Sequence, residues 1–272
     1  MVSSPVSPVR LVLSDVDGTL ITPDKILTND TIQAVRDLAD AGIIFALTSA
    51  RPPQGLAMFV EPLRLTTPLG ALNGALMVDG ELRVLEEVTI DADVTAPIID
   101  VLRAHDLSVW LYQGADWYVL DRDGPHVQHE ARGLHYEPTR RADFKGIETG
   151  VTKLVGVSDD SEASAAAAAA LNKHFDTRVS ATRSQSYFLD VTHLDANKGR
   201  VVRYLSNKYD VAPNDIATIG DMFNDVSMFE ESGLSIAMGN ADDAVQKAAH
   251  AVSRSNADEG FAHALNTFVL SQ

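Results

Sequence analysis

Two aspartates, Asp15 and Asp17, closely follow the apolar run at residues 11–13, and Gly18 comes next. The run has the length and aliphatic content of a buried strand. In extended backbone, residues two apart point to the same side, so the two carboxylates would lie close together. Such crowding is costly unless a cation neutralises the charges or one carboxyl keeps its proton. The pattern therefore indicates a metal site, an acid–base pair, or both.

Both arrangements are used in phosphoryl-transfer chemistry. A hard divalent cation such as Mg²⁺ binds carboxylate oxygens together with a substrate phosphate. An aspartate carboxylate can act as a covalent nucleophile, and a neighbouring acid can protonate the leaving group. The plain alternative is a polar loop that caps the helix after it.

The composition limits the classes of partner. The chain of 272 residues is 45% hydrophobic and 22% charged, as ordinary globular proteins are. Its formal net charge of −16 argues against nucleic-acid binding, because no basic stripe is available to meet phosphates. The absence of cysteine excludes disulfides, thiolate metal sites and cysteine nucleophiles. No signal peptide or membrane-spanning apolar stretch is visible, so we expect a cytoplasmic protein with no membrane or protein partner implied.

The order of the elements predicts an α/β fold with a doubly wound, mostly parallel sheet, because strand patterns alternate with helix patterns. The predicted strands of this sheet lie at residues 11–13, 43–47, 69–72, 216–219 and 234–237. In such sheets ligands bind at the carboxyl ends of the strands. Asp15, Ser49 and Asn73 each follow one of the first three strands, so we expect them at one edge.

The middle of the chain has a different character. Hairpin turn signals at Asp79-Gly80 and around Gly114 are followed by an alanine-rich helix and two paired strand patterns. This order predicts an antiparallel sheet with helices on one face, inserted into the first domain. We expect residues 1–84 and 190–272 to form a catalytic core and residues 85–189 to form the inserted α/β domain.

Four motifs occur in order along the chain and carry a resemblance to a known family. They are Asp15-Val16-Asp17-Gly18-Thr19, Leu47-Thr48-Ser49-Ala50-Arg51-Pro52, Lys198-Gly199 and Gly220-Asp221-Met222-Phe223-Asn224-Asp225. The ordered set resembles the haloacid dehalogenase (HAD) superfamily of hydrolases, and specifically its Cof-type (IIB) phosphatases. Asn73-Gly74-Ala75 and residues 237–241 add to this similarity. The resemblance implies a Rossmann-like core with an inserted α+β cap domain of the C2B type.

The resemblance also implies roles for the acidic residues. Asp15 would attack phosphorus and form an aspartyl phosphate. Asp17 would protonate the leaving alcohol and then deprotonate the attacking water. Mg²⁺ would be held by Asp15, the backbone carbonyl of Asp17, and Asp221. Asp225 is assigned to the same metal site as support for Asp221, and its alternative role is that of a helix-start acid.

A phosphate-binding loop follows from the second motif. Ser49 and the Ala50 amide would bind phosphate oxygens, while Arg51 would bind substrate or only brace the loop. The family's second motif is commonly Thr-Gly-Arg, so a shift of one residue would make Thr48 the phosphate-binding hydroxyl. The distance to Arg51 and Pro52 favours Ser49.

Three further residues complete the implied site. Lys198 would stabilise the charge of the transition state. Asn224 would donate to phosphate or orient Lys198. Asn73, just past the third predicted strand, is placed with the substrate-binding residues.

Residues of the inserted domain follow no transferable motif. His126, His129 and Glu130 have ligand-like spacing on a helix, but a solvated face is the favoured interpretation. Arg183, Ser184 and Tyr187 are candidates for substrate contact. Four aromatic residues of the predicted hairpin are interpreted as packing residues, one of which could face a sugar, namely Trp110, Tyr112, Trp117 and Tyr118.

The predicted function is that of a Mg²⁺-dependent phosphomonoester hydrolase acting on small phosphorylated metabolites, with sugar phosphates as the favoured class. A phosphomutase that uses the same aspartyl phosphate is the alternative within enzymes. A non-enzymatic switch like a phospho-receiver is the alternative from another class, and the inserted domain argues against it.

Overall fold

A computed structural model describes residues 8–271 of the chain. Within that range no helix has both the length and the apolar character needed to cross a membrane. The strands, in chain order, are β1 (Leu11–Ser14), β2 (Ile44–Leu47), β3 (Leu69–Ala71), β4 (Leu76–Val78), β5 (Val84–Glu87), β6 (Ser108–Gln113), β7 (Asp116–Val119), β8 (Thr139–Arg140), β9 (Val151–Val157), β10 (Val179–Gln185), β11 (Phe188–His193), β12 (Ile216–Gly220), β13 (Leu234–Ala237) and β14 (Ala251–Val252).

Nine α-helices lie among the described residues, together with short 3-10 turns and a π-helical turn at Leu265–Val269. They are α1 (Asn29–Asp40), α2 (Ala57–Val60), α3 (Ala92–Ala104), α4 (Val127–Leu134), α5 (Ser161–His174), α6 (Lys198–Tyr209), α7 (Val226–Phe229), α8 (Asp243–Ala248) and α9 (Gly260–Ala264).

The central sheet has five strands in the order β14-β13-β12-β1-β2, and every pair in it is parallel. Side chains alternate along β1, so its two faces carry separate apolar clusters. Val12 packs in the cluster of α1 and α9, while Leu11 and Leu13 pack in the cluster of α6 and α7. Helices therefore cover both faces, which confirms the predicted doubly wound parallel sheet.

The third predicted strand does not belong to this sheet. β3 pairs antiparallel with β4, and β4 pairs antiparallel with β5, which makes a separate three-stranded sheet. A single parallel bridge between Thr48 and Gly70 links it to the end of β2. The prediction was wrong on this point, because a short buried run has the same pattern in a parallel and in an antiparallel strand. The link still brings Asn73 next to the loop after β2.

A six-stranded sheet in the order β10-β11-β9-β6-β7-β8 fills the middle of the chain, and all its pairs are antiparallel except β7 with β8. Helices α3 and α5 pack on the face that carries Val109 and Leu111. Helix α4 packs on the opposite face, with Trp110 and Tyr112, in a cluster shared with the core. The prediction that all helices share one face was therefore wrong for α4.

The predicted domain boundaries fall inside strands. Residue 85 lies in β5, which pairs with β4, and residue 190 lies in β11 of the six-stranded sheet. Strand pairing therefore extends the first flanking segment to Glu87 and the inserted segment to His193. We use the name cap for residues 88–193 and the name core for the described residues on either side of it.

Candidate active site

A cavity of about 610 Å³ lies between the carboxyl edge of the parallel sheet and the face of the cap sheet that carries α4. Its core wall includes seven residues singled out from the sequence, namely Asp15, Asp17, Ser49, Ala50, Arg51, Pro52 and Asn224. Its cap wall combines aromatic and charged side chains, among them Trp110, Tyr112, Glu130, Lys153, Tyr187 and Asp190.

Asp15, Lys198 and Asp225 form a buried ion-pair network at the core wall. The Nζ of Lys198 lies 2.5 Å from Oδ1 of Asp15 and 2.5 Å from Oδ1 of Asp225, and it is 1% exposed. Burial alone would lower the pKa of Lys198, but the two carboxylates raise it above its ordinary value. Burial raises the pKa of Asp15 well above its ordinary value, although Lys198 acts in the opposite direction. The lysine therefore stays charged and holds the Asp15 carboxyl in one position.

Asp221 is fixed from both sides. Its Oδ1 accepts a hydrogen bond from the Thr19 hydroxyl at 2.8 Å, and its Oδ2 accepts one from the Asn240 amide at 3.3 Å. Burial, followed by the negative charge of Asp225, raises the pKa of Asp221 to about 7. A cation bound next to Asp221 would therefore be strongly favoured, because it would neutralise the crowded negative charge.

Asp225 organises the loop after β12. Its Oδ2 accepts hydrogen bonds from the backbone amides of Asp221 and Met222 at 2.8 and 2.9 Å, while its Oδ1 faces Lys198. Both carboxylate oxygens of Asp225 thus accept hydrogen bonds from other groups of the protein. Asp225 therefore positions Asp221 and Lys198.

Gly18 is required by the packing of this site. Its φ is +85°, and a Cβ there would lie 2.2 Å from Oδ2 of Asp221. The backbone at residues 17 and 18 therefore approaches the Asp221 carboxylate directly, which only glycine permits. This contact joins the loop after β1 to the loop after β12.

The donor set suits a hard cation. Carboxylate oxygens of Asp15, Asp221 and Asp225 lie within 4.8 Å of one another, and all three residues are buried. These ligands are oxygens, as Mg²⁺ prefers, and like charges so close together call for a compensating cation. The Asp17 side chain is not a member of this cluster. The residues present therefore fit the predicted magnesium site.

Asp17 is held by cations instead. Its carboxylate accepts hydrogen bonds from Nε and Nη2 of Arg51 at 2.6 and 2.7 Å and from Nζ of Lys25 at 2.7 Å. Burial alone would raise the pKa of Asp17, but Arg51 and Lys25 outweigh it and lower the pKa to about 2. Asp17 is therefore ionised in this arrangement. Arg51 thus pairs with Asp17 and does not only brace its own loop.

The loop after β2 presents Ser49 rather than Thr48 to the cavity. The Ser49 amide donates to the Gly70 carbonyl at 2.8 Å, and the Asn73 amide donates to the Ser49 carbonyl at 2.9 Å. The Thr48 hydroxyl is buried and has no hydrogen-bond partner among the described residues. The backbone contacts thus fix the direction of the Ser49 side chain, which is 1% exposed.

Asn224 contacts Asn73 and not Lys198. Its Nδ2 donates to Oδ1 of Asn73 at 2.9 Å, and its own Oδ1 is buried with no hydrogen-bond partner in the described chain. Asp225 takes the position next to Lys198 that the sequence left open for Asn224. Asn73 itself is 7% exposed and has a φ of 58°.

The cap wall corrects the interpretation of α4 as a solvated face. Glu130 lines the cavity, and burial raises its pKa against the opposing charges of Lys153 and Arg51. His129 also lines the cavity, although it is exposed. The interpretation agrees with the exposed His129 but not with Glu130, because the face of the cap sheet that α4 covers could not be read from the residues of α4.

Of the candidates on β10 and in the turn after it, Ser184 and Tyr187 line the cavity, whereas Arg183 is exposed and donates to the Ser186 carbonyl. The Tyr187 ring stacks on the His126 ring at 3.9 Å, and His126 is within 2.7 Å of Asp159. Of the four hairpin aromatics, one of which was expected to be able to face a sugar, Trp110 and Tyr112 line the cavity.

Comparison with known proteins identifies the family. A model of the haloacid dehalogenase-like hydrolases matches residues 12–265. The chain belongs to the haloacid dehalogenase-like hydrolases. A Haemophilus influenzae protein named "Putative phosphatase" is 31% identical over 254 residues, which cover 93% of this chain and 95% of that protein. The Cof-type resemblance stated from the motifs is confirmed.

Solved structures of this superfamily share the whole fold. A haloacid dehalogenase-like hydrolase from Bacteroides thetaiotaomicron has a TM-score of 0.84 and 26% identity, over 95% of this chain and 98% of that chain. A sugar phosphatase of HAD subclass IIB has a TM-score of 0.85 at 19% identity, over 96% of this chain and 99% of that chain. The second likeness shows the fold alone, and both extend over core and cap.

Several residues of this hydrolase's site were missed from the sequence. Lys25 lies in the loop after the first motif and pairs with Asp17. Lys153 and Asp190 lie on neighbouring cap strands and form a buried ion pair at 2.7 Å. A signal did exist for both, since a charged residue inside an otherwise apolar strand is unusual. Their pairing depends on sheet register, which the sequence does not display.

Proposed function

We propose that this hydrolase is a Mg²⁺-dependent phosphomonoesterase for small phosphorylated metabolites, sugar phosphates first among them. The observation that supports this most is the Asp15 carboxylate on the cavity wall, held 2.5 Å from Lys198 and next to Asp221. A nucleophile, a fixed positive charge and a cation site then meet at one point. The cap encloses the other side of the same cavity.

In the first step, an oxygen of Asp15 attacks phosphorus and the bond from phosphorus to the alcohol oxygen breaks. The Lys198 ammonium and the Ser49 hydroxyl stabilise the negative charge that develops on the phosphoryl oxygens. The leaving alcohol takes a proton from Asp17. Asp17 can carry that proton only after its release from Arg51, so the entering phosphate competes for the guanidinium and the freed carboxylate takes up one proton from solvent.

In the second step, a water molecule attacks phosphorus and the bond to Asp15 breaks, which releases inorganic phosphate. Asp17, left ionised by the first step, accepts the proton of that water and returns it to solvent when it pairs with Arg51 again, where its pKa is about 2. Asp225 and Thr19 take no proton. They keep Lys198 and Asp221 in place through the hydrogen bonds described above.

Asp15, Asp221 and the backbone at Asp17 are the groups that would hold Mg²⁺. When bound, the ion supplies charge neutralisation among the crowded carboxylates and the substrate phosphate. Asp225 belongs to its support, since both of its oxygens already accept hydrogen bonds.

We further propose that the cap closes over the core and selects the substrate. The residues proposed for chemistry all lie in the core, while the cap wall offers aromatic and polar side chains that face the substrate body. Closure of such a domain excludes water and completes the site.

The test is phosphate release from a panel of phosphorylated metabolites and p-nitrophenyl phosphate. We expect turnover with Mg²⁺, none after EDTA, and poor replacement by Ca²⁺, whose longer bonds misplace the nucleophile. Full activity after thorough chelation would overturn the metal assignment. No release from any ester in the presence of Mg²⁺ would overturn the proposed function.

A further inference from the structure

The cap carries a charged pair in an unusual place. Lys153 on β9 and Asp190 on β11 point into the cavity from neighbouring strands, with Nζ 2.7 Å from Oδ2. Their side chains are 7% and 2% exposed. A buried ion pair contributes little net stability, because desolvation offsets the attraction. Net stability therefore does not explain why this ion pair is present.

The pair lies beside the phosphate-binding loop. Nζ of Lys153 also approaches the carbonyl oxygen of Ala50, at 3.5 Å. Ala50 directly follows Ser49, the proposed phosphate ligand. A group that contacts Lys153 and Asp190 would thus belong to the part of the substrate next to its phosphate ester.

Asp190 lacks the hydrogen bonds that a buried carboxylate needs. Oδ1 has no hydrogen-bond partner among the described residues, and Oδ2 faces only the ammonium of Lys153, at 2.7 Å. A buried acceptor without a donor is costly, so a donor is expected from outside the chain. A hydroxyl fits, because it can donate to Asp190 and accept from Lys153.

The local charge argues against a second anion at this position. The charge of Lys153 is balanced by Asp190, and Glu130 adds a negative charge to the same wall. Arg51 pairs with Asp17 in the free protein and is taken by the phosphate of the ester itself in the proposed mechanism. The exposed Arg132 lies at the lining of the same cavity, but a phosphate or carboxylate next to the ester would meet Asp190 and Glu130 first.

We infer that Lys153 and Asp190 form a specificity-determining pair that binds a hydroxyl group close to the phosphate ester, and that the preferred substrate is a monophosphate with an uncharged polyhydroxy body. The inference rests on the proposed phosphatase function and deepens it. It assigns a task to two cap residues that lie outside the four motifs. Trp110 and Phe188, which line the same wall, supply the apolar surface beside the pair.

The experiment compares substrate pairs that differ by one hydroxyl. Suitable pairs are sn-glycerol 3-phosphate with 3-hydroxypropyl phosphate, and ribose 1-phosphate with 2-deoxyribose 1-phosphate. For the wild-type protein, we expect kcat/KM to be about 10-fold or more higher for the hydroxylated member of at least one pair. Fructose 1,6-bisphosphate should be a poorer substrate than fructose 1-phosphate.

The variants are Asp190→Asn and the double replacement Lys153→Met with Asp190→Leu, which removes both charges together and so avoids an unpaired buried charge. In either variant that shows a cooperative melting transition, the ratio within each pair should fall toward one. The control Asp100→Asn changes an exposed acid on α3, on the other face of the cap sheet, and should keep the wild-type ratio.

Two outcomes would overturn the inference. One is a wild-type ratio near one for both substrate pairs. The other is an unchanged ratio in a folded Lys153/Asp190 variant. Hydrolysis of p-nitrophenyl phosphate by the wild-type protein distinguishes failure of this inference from failure of the proposed function. If the protein hydrolyses this ester but does not discriminate by hydroxyl groups, only the assignment of the Lys153–Asp190 pair fails. If no ester is hydrolysed, the proposed function itself fails.

Discussion

The two walls of the cavity differ in how their polar groups are satisfied. On the core wall, Lys198 touches two carboxylates and Asp221 accepts hydrogen bonds from Thr19 and Asn240. On the cap wall, the buried Asp190 pairs with Lys153 through Oδ2, and its Oδ1 has no hydrogen-bond partner among the described residues. The charged groups of the core wall are thus held in place before a substrate arrives, whereas the charged pair of the cap wall leaves one buried carboxylate oxygen without a donor.

This difference separates two tasks. Groups that react must keep a fixed geometry, because small misplacements are costly to the rate. Groups that select a substrate gain most when the substrate alone can satisfy them, since a wrong substrate then leaves a buried polar group unpaired. Substitutions in the core should therefore reduce turnover of every ester, and substitutions in the cap should change the ranking of esters.

The largest effect is expected for Asp15→Asn. The amide cannot act as the attacking carboxylate, so turnover of all esters should fall by about 10⁴-fold or more. Steady-state phosphate release from metabolites and from p-nitrophenyl phosphate measures this. If the purified variant kept more than roughly a tenth of the wild-type rate, the covalent mechanism would be excluded.

Asp17→Asn should have a smaller effect that depends on the leaving group. Loss of the proton donor should slow hydrolysis of alkyl esters by roughly 10²- to 10⁴-fold. The loss should be smaller for p-nitrophenyl phosphate, whose phenolate leaves without protonation. Equal losses on both substrates would remove Asp17 from the acid role and place it with the residues that only organise the core wall.

Tyr187→Ala should alter preference among esters. Tyr187 lines the cavity and is stacked on His126, so its loss should lower kcat/KM for the best metabolite by about 3- to 30-fold. The ratio to p-nitrophenyl phosphate reports the change. Tyr118→Ala is the matched control, because Tyr118 packs near Arg141 away from the cavity. Equal effects of both replacements would argue against a substrate contact at Tyr187.

The smallest effect concerns stability without metal. The pKa of Asp221 is raised to about 7 from 3.8, so the folded protein binds this proton more tightly than the unfolded chain does. The free energy of unfolding of the metal-free protein should therefore fall as the pH rises from 3.8 to about 7. Asp221→Asn removes this loss and should be more stable than wild type by about 1–3 kcal/mol at pH 8 in EDTA.

Denaturant unfolding at pH 5 and pH 8 measures the difference, and most of the gain should appear at the higher pH. Added Mg²⁺ should stabilise the wild type and not the variant, because binding to the folded state alone raises stability. A variant that is destabilised equally at both pH values would show that Asp221 carries no excess charge in the folded core.

Much of the core could be predicted because its determinants are local. Asp15, Ser49 and Asp221 each follow a strand, and neighbouring parallel strands bring their carboxyl ends to one edge. The exception is the third strand. Its apolar run is buried in either orientation, so only the pairing of β3 with β4 shows that it joins a separate sheet.

The cap could be predicted only as a class of domain. Lys153 and Asp190 are 37 positions apart, and their contact depends on the register of β9 and β11. Glu130 has the polar spacing of a solvated helix, and its partial burial follows from the packing of α4 in the cluster that it shares with the core. The pairing of Arg51 with Asp17 likewise arises between two separate loops. Such contacts belong to tertiary packing.

The central claim is that chemistry passes through a phosphoryl group on Asp15. The most direct test is rapid acid quenching during turnover of a phosphate-labelled substrate, followed by borohydride reduction and mass spectrometry of the peptide that contains residue 15. We predict label on wild-type and Asp17→Asn protein, conversion of residue 15 to homoserine after reduction, and no label on Asp15→Asn. Turnover with no labelled protein at any quench time, or label on another residue, would contradict the account.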